Sequence, residues 1–168
     1  MQPLVRVGQG FDVHPFAEEA RPLLLGGHLV DETAGLAGHS DADIVAHAVT
    51  DALLGALALG DLGSFVGVDT PEVAGAESMG FVAAALREVS DAGYGVANVD
   101  VTVIAQRPRI GPHVLAIRQG LAKVLACDIS QISVKATTTD KLGSIGGGEG
   151  IACLANATLE RGFGQPAP

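Results

Sequence analysis

The chain has 168 residues, of which 48% are hydrophobic and 4% aromatic, and it carries 10 Lys and Arg against 19 Asp and Glu, a net charge of −9. The length suggests one domain. The acidic balance argues against a nucleic-acid backbone as ligand, because neutralising phosphates requires a basic patch. Bound divalent cations can reverse the local sign, so a small phosphorylated substrate stays compatible with this charge. Since a core of small residues buries little area per residue, we expect the chain to self-associate.

Cysteine usage and the apolar segments indicate a cellular location. Cys127 and Cys153 form no C-x-x-C pattern and lie beside apolar residues, which predicts buried thiols in a reducing compartment. The first residues lack a basic stretch followed by an apolar one, so we expect no signal peptide. The most apolar run, residues 52–60, is too short to span a bilayer. We therefore expect a cytoplasmic protein without a membrane partner.

The first half of the chain predicts a strand, a hairpin and two helices. Alternating residues over 4–16 predict the strand, and residues 22–30 predict the hairpin about a Gly-Gly pair. Ser40 or Asp41 is the expected N-cap of a first helix that ends at Gly60. Glycines and a proline over 61–75 predict a loop, after which residues 77–93 form a second amphipathic helix.

The second half predicts three strands and one helix. Residues 96–106 alternate β-branched side chains and predict a strand, and residues 113–126 predict a third helix. Residues 132–139 predict another strand, followed by a glycine-rich loop over 140–150. Residues 151–162 fit a strand or a helix, and we favour a strand.

The order of these elements is neither all-β nor strictly doubly wound. It predicts an α+β fold in a single domain over residues 1–161, in which helices cover one face of a mixed four-stranded sheet, with the short hairpin in addition. Residues 162–168 are expected to form a frayed C-terminal tail.

One strand and one helix carry candidate metal ligands. Asp12 and His14 are two residues apart, so they share a face of the first strand, and His47 lies mid-helix with Asp43 and Asp51 four residues away on either side. Each motif alone fits an ordinary solvated face. Together they offer one carboxylate and two imidazoles, which suits Zn²⁺ with one open position or the Fe(II) of an oxygenase. A nearby carboxylate such as that of Asp51 would orient the imidazole.

Two further segments have the chemistry to bind phosphate. His39 and Ser40 stand at the expected helix start, where free N–H groups and the helix dipole favour an anion. Residues 137–140 end a strand with three threonines and an aspartate, which could hold a phosphate and a hard cation such as Mg²⁺. Capping and β-propensity explain the same residues equally well. The "GGGEG" at 146–150 opens no helix, so it is a weak dinucleotide signal.

The motifs taken together resemble a known enzyme family. The stretches "RVGQGFDVHPF", "HSDADIVAHAVTDALLGALALGDLG", "NVDVTVIAQRPRI" and "VKATTTDKLGSIGGGEGIA" are similar to those of the 2-C-methyl-D-erythritol 2,4-cyclodiphosphate synthases. The resemblance runs from about residue 5 to 161 and identifies residues 1–161 as such a domain. It implies a homotrimer with active sites at subunit interfaces and a role in the non-mevalonate (MEP) pathway of isoprenoid biosynthesis.

The resemblance also implies a reaction and its cofactors. In the family, the 2-phosphate of 4-diphosphocytidyl-2-C-methyl-D-erythritol 2-phosphate attacks the β-phosphorus, CMP leaves, and a cyclic diphosphate forms. It implies Zn²⁺ on Asp12, His14 and His47, and a second cation, Mg²⁺ or Mn²⁺, held by Asp140 through the substrate phosphates.

Matching positions imply the substrate contacts. His39 and Thr138 would stabilise the transition state, and residues 105–111 would form the cytosine pocket of a neighbouring subunit. The full implied set is Asp12, His14, His39, Ser40, Asp61, Leu62, Gly63, Val66, Asp69, Thr70, Ala105, Gln106, Arg107, Pro108, Arg109, Ile110, Gly111, Thr137, Thr138, Thr139 and Asp140.

The chain departs from the family pattern at several positions. Asp140 stands where a Glu is usual, Arg109 where a Lys is usual, and "VGVDT" at 66–70 replaces F-P-D-T-D. Ser144 and Gly147 replace a Phe and an Arg near the threefold axis, so we expect this axis not to retain an isoprenyl diphosphate. The alternatives to the cyclase are an Fe(II) oxygenase built on the same ligands and a metal-stabilised trimeric binding module.

Overall fold

The structure, a computed structural model, describes residues 3–67 and 75–162. The strands are β1 (Val5–Pro15), β2 (Leu23–Leu25), β3 (His28–Asp31), β4 (Tyr94–Ala105), β5 (Ile132–Thr137) and β6 (Gly150–Arg161). The helices are α1 (Ile44–Leu57), α2 (Leu62–Val66), α3 (Ser78–Asp91), α4 (Val114–Val124) and α5 (Gly143–Gly146). Two of the predicted substrate contacts, Asp69 and Thr70, and the predicted tail after residue 162 lie outside the described residues.

Four strands form one mixed sheet in the order β1-β6-β4-β5. β6 pairs antiparallel with both β1 and β4, whereas β4 and β5 run parallel. The parallel pair requires a crossover, and α4 provides it. β2 and β3 pair antiparallel as a separate hairpin. The predicted α+β domain with a mixed four-stranded sheet is therefore confirmed.

The two faces of the sheet differ in their cover. α1, α3 and α4 pack against the sheet strands, and inward residues such as Val99, Val101 and Val103 of β4 are fully buried. On the other face the outward residues of β1 remain uncovered, and Val7 and Phe11 are 67% and 57% exposed. An apolar strip of this kind on a sheet face is a usual mark of an interaction surface.

Helix α1 lies unusually close to β1 because two glycines face it. A Cβ built on Gly8 would fall 2.0 Å from the carbonyl oxygen of Ala52, and one on Gly10 would fall 1.9 Å from that of Ala48. Any side chain at these positions would push the helix away. The close approach brings the middle of α1 against the strand residues that follow Gly10.

The first turn of α1 differs from the prediction. The helix begins at Ile44 with Asp43 as its N-cap, not with Ser40 or Asp41. The fully buried Asp43 carboxylate accepts from the backbone N–H groups of Val45 and Ala46 and from those of the two hairpin glycines. Burial raises the pKa of Asp43, while these N–H donors act in the opposite direction. The helix terminus is thus occupied by a carboxylate of the chain itself, which removes the helix-dipole argument for a phosphate there.

Two predicted loops contain short helices. α2 lies within the predicted 61–75 loop, where the Asp61 and Ser64 side chains form a capping box, and α5 is one turn within the predicted 140–150 loop. Both are too short to show a periodic pattern in sequence. The predicted helices over 77–93 and 113–126 and the last strand are confirmed within one or two residues at each end.

The two cysteines are both free but differ in burial. Cys153 is fully buried and free, but Cys127 is free and only partly buried, so the prediction of two buried thiols is wrong for Cys127. Within residues 3–67 and 75–162, no helix has the length and the apolar character that crossing a membrane requires.

Candidate metal centre and substrate site

Asp12, His14 and His47 converge as the sequence predicted. One ligand atom from each lies within 4.8 Å of the others. Asp12 Oδ2 is 2.9 Å from His47 Nδ1 and 3.2 Å from His14 Nε2. Asp12 and His14 come from the helix-facing side of β1, and His47 comes from α1, 35 residues along the chain from Asp12. The close approach allowed by Gly10 therefore builds the cluster.

The three side chains are only partly buried, which leaves room for a ligand. His47 is 12% exposed, and Asp12 and His14 are 22% and 23% exposed. Burial on its own would raise the pKa of Asp12, but the hydrogen bonds with His14 and His47 outweigh it and hold that pKa far below its usual range. Hydrogen bonding to Asp12 raises the pKa of His14 in return. Each imidazole is thus held against a firmly ionised carboxylate.

The ring of His14 is oriented by the backbone. Its Nδ1 donates to the carbonyl oxygen of Ala37, so Nε2, which lies 3.2 Å from Asp12 Oδ2, is the nitrogen left to bind a cation. A metal-bound histidine usually has its second nitrogen fixed in this way. One carboxylate and two imidazoles so arranged fit Zn²⁺ with an open fourth position, and a divalent cation fits this cluster.

The ring of His47 is oriented by serines rather than by an aspartate. Its Nε2 lies 2.9 Å from Ser78 Oγ and 3.2 Å from Ser40 Oγ. The prediction that Asp51 orients this ring is wrong, because Asp51 accepts from the backbone N–H of Leu62 at 2.6 Å. Burial raises the pKa of Asp51, and this hydrogen bond opposes it. Asp51 instead ties the start of α2 to the helix that carries His47.

The helix face that carries His47 is not solvated. Asp43 is completely buried beneath the hairpin, and His47 packs between β1 and the start of α3. The sequence alone fitted an ordinary solvated face here, but ten of the fourteen residues of α1 are buried. The sequence did not predict a role for Ser78, because only its place near the start of a predicted helix distinguishes it.

Two of the segments predicted to contact substrate begin at the same end of the sheet as the metal centre. In the ladder, His14 of β1 pairs with Ile151 of β6, and Ile151 pairs with Ala105 at the end of β4. Beyond it, Ile104 pairs with Thr137, the last residue of β5. Two adjacent rows across the sheet therefore contain His14, the start of the 105–111 segment and the start of the threonine segment.

The width of the sheet separates the metal ligands from the threonine segment within one chain. β1 and β5 are the two edge strands, three strand spacings apart, or about 14 Å. The described residues thus place the threonine segment and the metal ligands on one end of the sheet but not in contact.

The threonine segment is exposed and locally ordered. Thr137, Thr138 and Asp140 are exposed, and the backbone N–H of Asp140 donates to Thr138 Oγ1 at 3.1 Å. Thr139 Oγ1 donates to the carbonyl oxygen of Leu142 at 2.7 Å. Asp140 has a φ of 51°, in the left-handed region that aspartate tolerates better than most residues. The Thr138 hydroxyl and the Asp140 carboxylate therefore point into solvent at a strand end.

The 105–111 segment is anchored by Arg107. Its guanidinium lies 4.0 Å above the ring of Phe16, and its Nε donates to the carbonyl oxygen of Gly148 at 3.2 Å. Ala105 and Ile110 are buried, whereas Arg109 is exposed. Gln106 Oε1 is buried with no partner in the described part of the chain.

The remaining predicted contacts lie around α2 and before α1. Asp61 caps α2 and accepts from the backbone N–H of Ser64 at 2.8 Å, and Leu62, Gly63 and Val66 belong to the helix itself. His39 is exposed. Ser40 is buried, and its Oγ accepts from the backbone N–H of Ala42.

Several proteins of similar sequence are named 2-C-methyl-D-erythritol 2,4-cyclodiphosphate synthase. The protein of Pectobacterium atrosepticum named 2-C-methyl-D-erythritol 2,4-cyclodiphosphate synthase is 51% identical over 155 residues, which cover 92% of this chain and 93% of that protein. A protein of the same name from Haemophilus influenzae is 49% identical over 158 residues, 94% of this chain and 99% of its own length.

Solved structures match as well. The bifunctional IspDF of Campylobacter jejuni aligns with a TM-score of 0.90 at 42% identity over 94% of this chain, which spans 42% of that longer chain. The IspF of Plasmodium falciparum in complex with CDP aligns with a TM-score of 0.83 at 35% identity, covering 96% of this chain and 99% of that one. The YgbB family model matches residues 5–160. This chain therefore belongs to the YgbB family, together with its relatives named 2-C-methyl-D-erythritol 2,4-cyclodiphosphate synthase.

Proposed function

We propose that this protein converts 4-diphosphocytidyl-2-C-methyl-D-erythritol 2-phosphate into 2-C-methyl-D-erythritol 2,4-cyclodiphosphate and CMP. The observation that carries the proposal is the convergence of Asp12, His14 and His47 on one point at the end of the sheet, in a chain of this family. The 2-phosphate oxygen bonds to the β-phosphorus, and the bond from the β-phosphorus to the oxygen of CMP breaks.

The metal centre holds Zn²⁺ in this proposal. Asp12 Oδ2, His14 Nε2 and His47 Nδ1 are its ligands, and the cation, when bound, neutralises phosphate charge and orients the diphosphate. His39 and Thr138 stabilise the charge that develops on the transferred phosphorus. The buried Ser40 follows His39 in sequence, and its Oγ lies 3.2 Å from His47 Nε2. Asp140 contributes to a second divalent cation, Mg²⁺ or Mn²⁺, through the substrate phosphates.

The chemistry requires alignment more than proton transfer. The nucleophile is already an anionic phosphate oxygen, so no strong general base is needed. Nucleophile and electrophile belong to one substrate, and their tethering removes much of the entropic barrier. Asp61, Leu62 and Gly63 hold the erythritol hydroxyls, and Val66, Asp69 and Thr70 also contact the substrate. Residues 105–111 hold the cytosine.

A homotrimer completes this site. Thr137–Asp140 and the metal ligands stand on opposite edges of the sheet, about 14 Å apart in one chain, which is too far for both to grip one phosphate. The exposed apolar residues of β1 offer a surface that a second copy would cover. We infer that the 105–111 and threonine segments of one subunit face the metal centre of the next.

The decisive experiment is CMP release from the diphosphocytidyl substrate with Zn²⁺ and Mg²⁺ supplied. We expect turnover by the wild type, none by His47→Ala, and wild-type rates from Ser90→Ala. Ser90 is an exposed serine on α3 whose hydroxyl donates to the carbonyl oxygen of Leu86. CMP release without the cyclic product, or no release by a metal-loaded wild type, would refute the cyclase. The oxygenase alternative predicts iron-dependent O₂ uptake, and the binding module predicts no turnover.

The assembly is tested separately by light scattering at assay concentrations. We expect the mass of three chains, since each site draws on two subunits. A stable, active monomer would refute the shared site.

A further inference from the structure

Ser78 joins the metal centre to a second carboxylate. It is the first residue of α3 and is fully buried. Its Oγ lies 2.9 Å from His47 Nε2 and 3.2 Å from Ser40 Oγ, and it donates to Oδ1 of Asp41. A buried hydroxyl with three polar neighbours is a member of a network rather than a surface group.

Asp41 is itself held in place from both sides. Its Oδ2 accepts from the backbone N–H of Ser78 at 3.0 Å, and its Oδ1 accepts from that of Asp43 at 3.2 Å. Its own N–H donates to the carbonyl oxygen of Ala76 at 3.2 Å. Glu77, at the N-cap position of α3, forms no side-chain cap, so Asp41 caps this helix from another segment. The Asp41 carboxylate therefore faces the Ser78 hydroxyl in a fixed position.

The donors and acceptors of this chain of contacts have one direction. A carboxylate only accepts, and a serine hydroxyl has a single proton to donate. The Ser78 proton goes to Asp41, so Ser78 Oγ must accept from His47, and Nε2 of His47 must carry a proton. The other nitrogen, Nδ1, lies 2.9 Å from Asp12 Oδ2 and donates to it while no cation is bound, so Nδ1 is the atom that would exchange its proton for a cation.

We propose that Asp41 and Ser78 are positioning residues that fix the tautomer and the ring orientation of His47 as a metal ligand. This inference rests on the proposed function, because it takes His47 as a ligand of the cation. Asp41 and Ser78 act on His47 as the Ala37 carbonyl acts on His14, so both imidazoles present their lone pairs to one point. Without the hydroxyl, the ring can turn or present an N–H to the cation.

The test compares zinc affinity and one spectroscopic signal in four proteins. Ser78→Ala removes the hydroxyl. Asp41→Asn keeps Ser78 but replaces one of the two carboxylate oxygens of Asp41 with an amide group that donates. Ser90→Ala is the matched control on the same helix. Competition with a chromogenic chelator gives the affinity for Zn²⁺. We expect a loss of about 10- to 100-fold in Ser78→Ala and Asp41→Asn and none in the control.

The spectroscopic signal reports directly on the hydrogen bond from His47 Nε2 to Ser78 Oγ. In the Zn²⁺-loaded wild type, a ¹H–¹⁵N spectrum should contain a slowly exchanging His47 Nε2–H, assigned by its loss in His47→Ala. We expect this signal to vanish in Ser78→Ala and to persist in Ser90→Ala. If Ser78 served only to start α3, Ser78→Ala would lower the unfolding free energy without changing either the zinc affinity or this signal.

The outcomes separate the two proposals. If the wild type binds Zn²⁺ tightly and both Ser78→Ala and Asp41→Asn bind it equally well, the positioning role of Asp41 and Ser78 is refuted, whereas the metal centre is supported. If the wild type binds no Zn²⁺, both are overturned. If Ser78→Ala fails to fold, Asp41→Asn decides by the same two measurements.

Discussion

Replacing Gly10 with alanine is expected to destabilise the protein and to break the metal centre together. The added Cβ would stand 1.9 Å from the carbonyl oxygen of Ala48, about 1.5 Å inside the 3.4 Å at which ordinary contact begins. The obstacle is helix backbone, which cannot turn aside as a side chain can, so α1 must move outward from β1. Overpacking of this kind typically costs about 1–3 kcal/mol, and a clash with backbone belongs at the upper end.

The effect on the metal centre follows from the position of the clash. Ala48 is the neighbour of His47, whose Nδ1 is 2.9 Å from Asp12. Metal–ligand distances tolerate deviations of only about 0.2 Å, so a helix displacement of about 1 Å removes His47 from the ligand set. We therefore expect Gly10→Ala to lose Zn²⁺ affinity as well as stability.

Gly55→Ala provides the matched control on α1. Among residues 3–67 and 75–162, the nearest atom that its added Cβ would meet is the carbonyl oxygen of Gln9, at 3.8 Å. Alanine in a helix is favoured over glycine by about 0.5–1 kcal/mol. Urea unfolding at equal protein concentration, which also controls for subunit association, measures the unfolding free energies, and chelator competition measures the affinity for Zn²⁺. Gly10→Ala with wild-type stability and wild-type affinity would refute the argument that these glycines set the distance between α1 and β1.

Three further predictions concern other parts of the chain. Asp43→Ala removes the acceptor of four N–H donors, three of them in buried hydrogen bonds. Because a hydrogen bond to a charged group contributes about 1.5–3 kcal/mol, we expect a loss of at least about 3 kcal/mol in urea unfolding; a loss below about 1 kcal/mol would contradict this. Asp140→Ala should raise the Mg²⁺ concentration needed for half-maximal CMP release while the Zn²⁺ content stays unchanged, and an unchanged Mg²⁺ requirement would remove Asp140 from the second cation site. Calorimetry with geranyl diphosphate should detect no tight binding, because Gly147 offers no cation to a diphosphate, and one tightly bound ligand per trimer would disprove it.

Periodicity alone determined much of the site. A strand alternates its side chains, so the spacing of Asp12 and His14 placed them on one face of β1 before any fold was known. The four-residue spacing about His47 placed Asp43 and Asp51 on one helix face in the same way. These are statements about directions around a local axis, and neighbouring residues are sufficient to establish them.

Contacts between distant segments were decided only by the tertiary structure. Ser78 lies 31 residues from His47, and nothing in its local sequence predicts that α3 begins against α1. Asp51 shares a helix face with His47, but the start of α2 captures its carboxylate. The same limit applies to the threonine segment, because the strand order β1-β6-β4-β5 puts it on the edge opposite the metal ligands. Side-chain spacing specifies which way a residue points, whereas the packing of helices and strands specifies what it meets there.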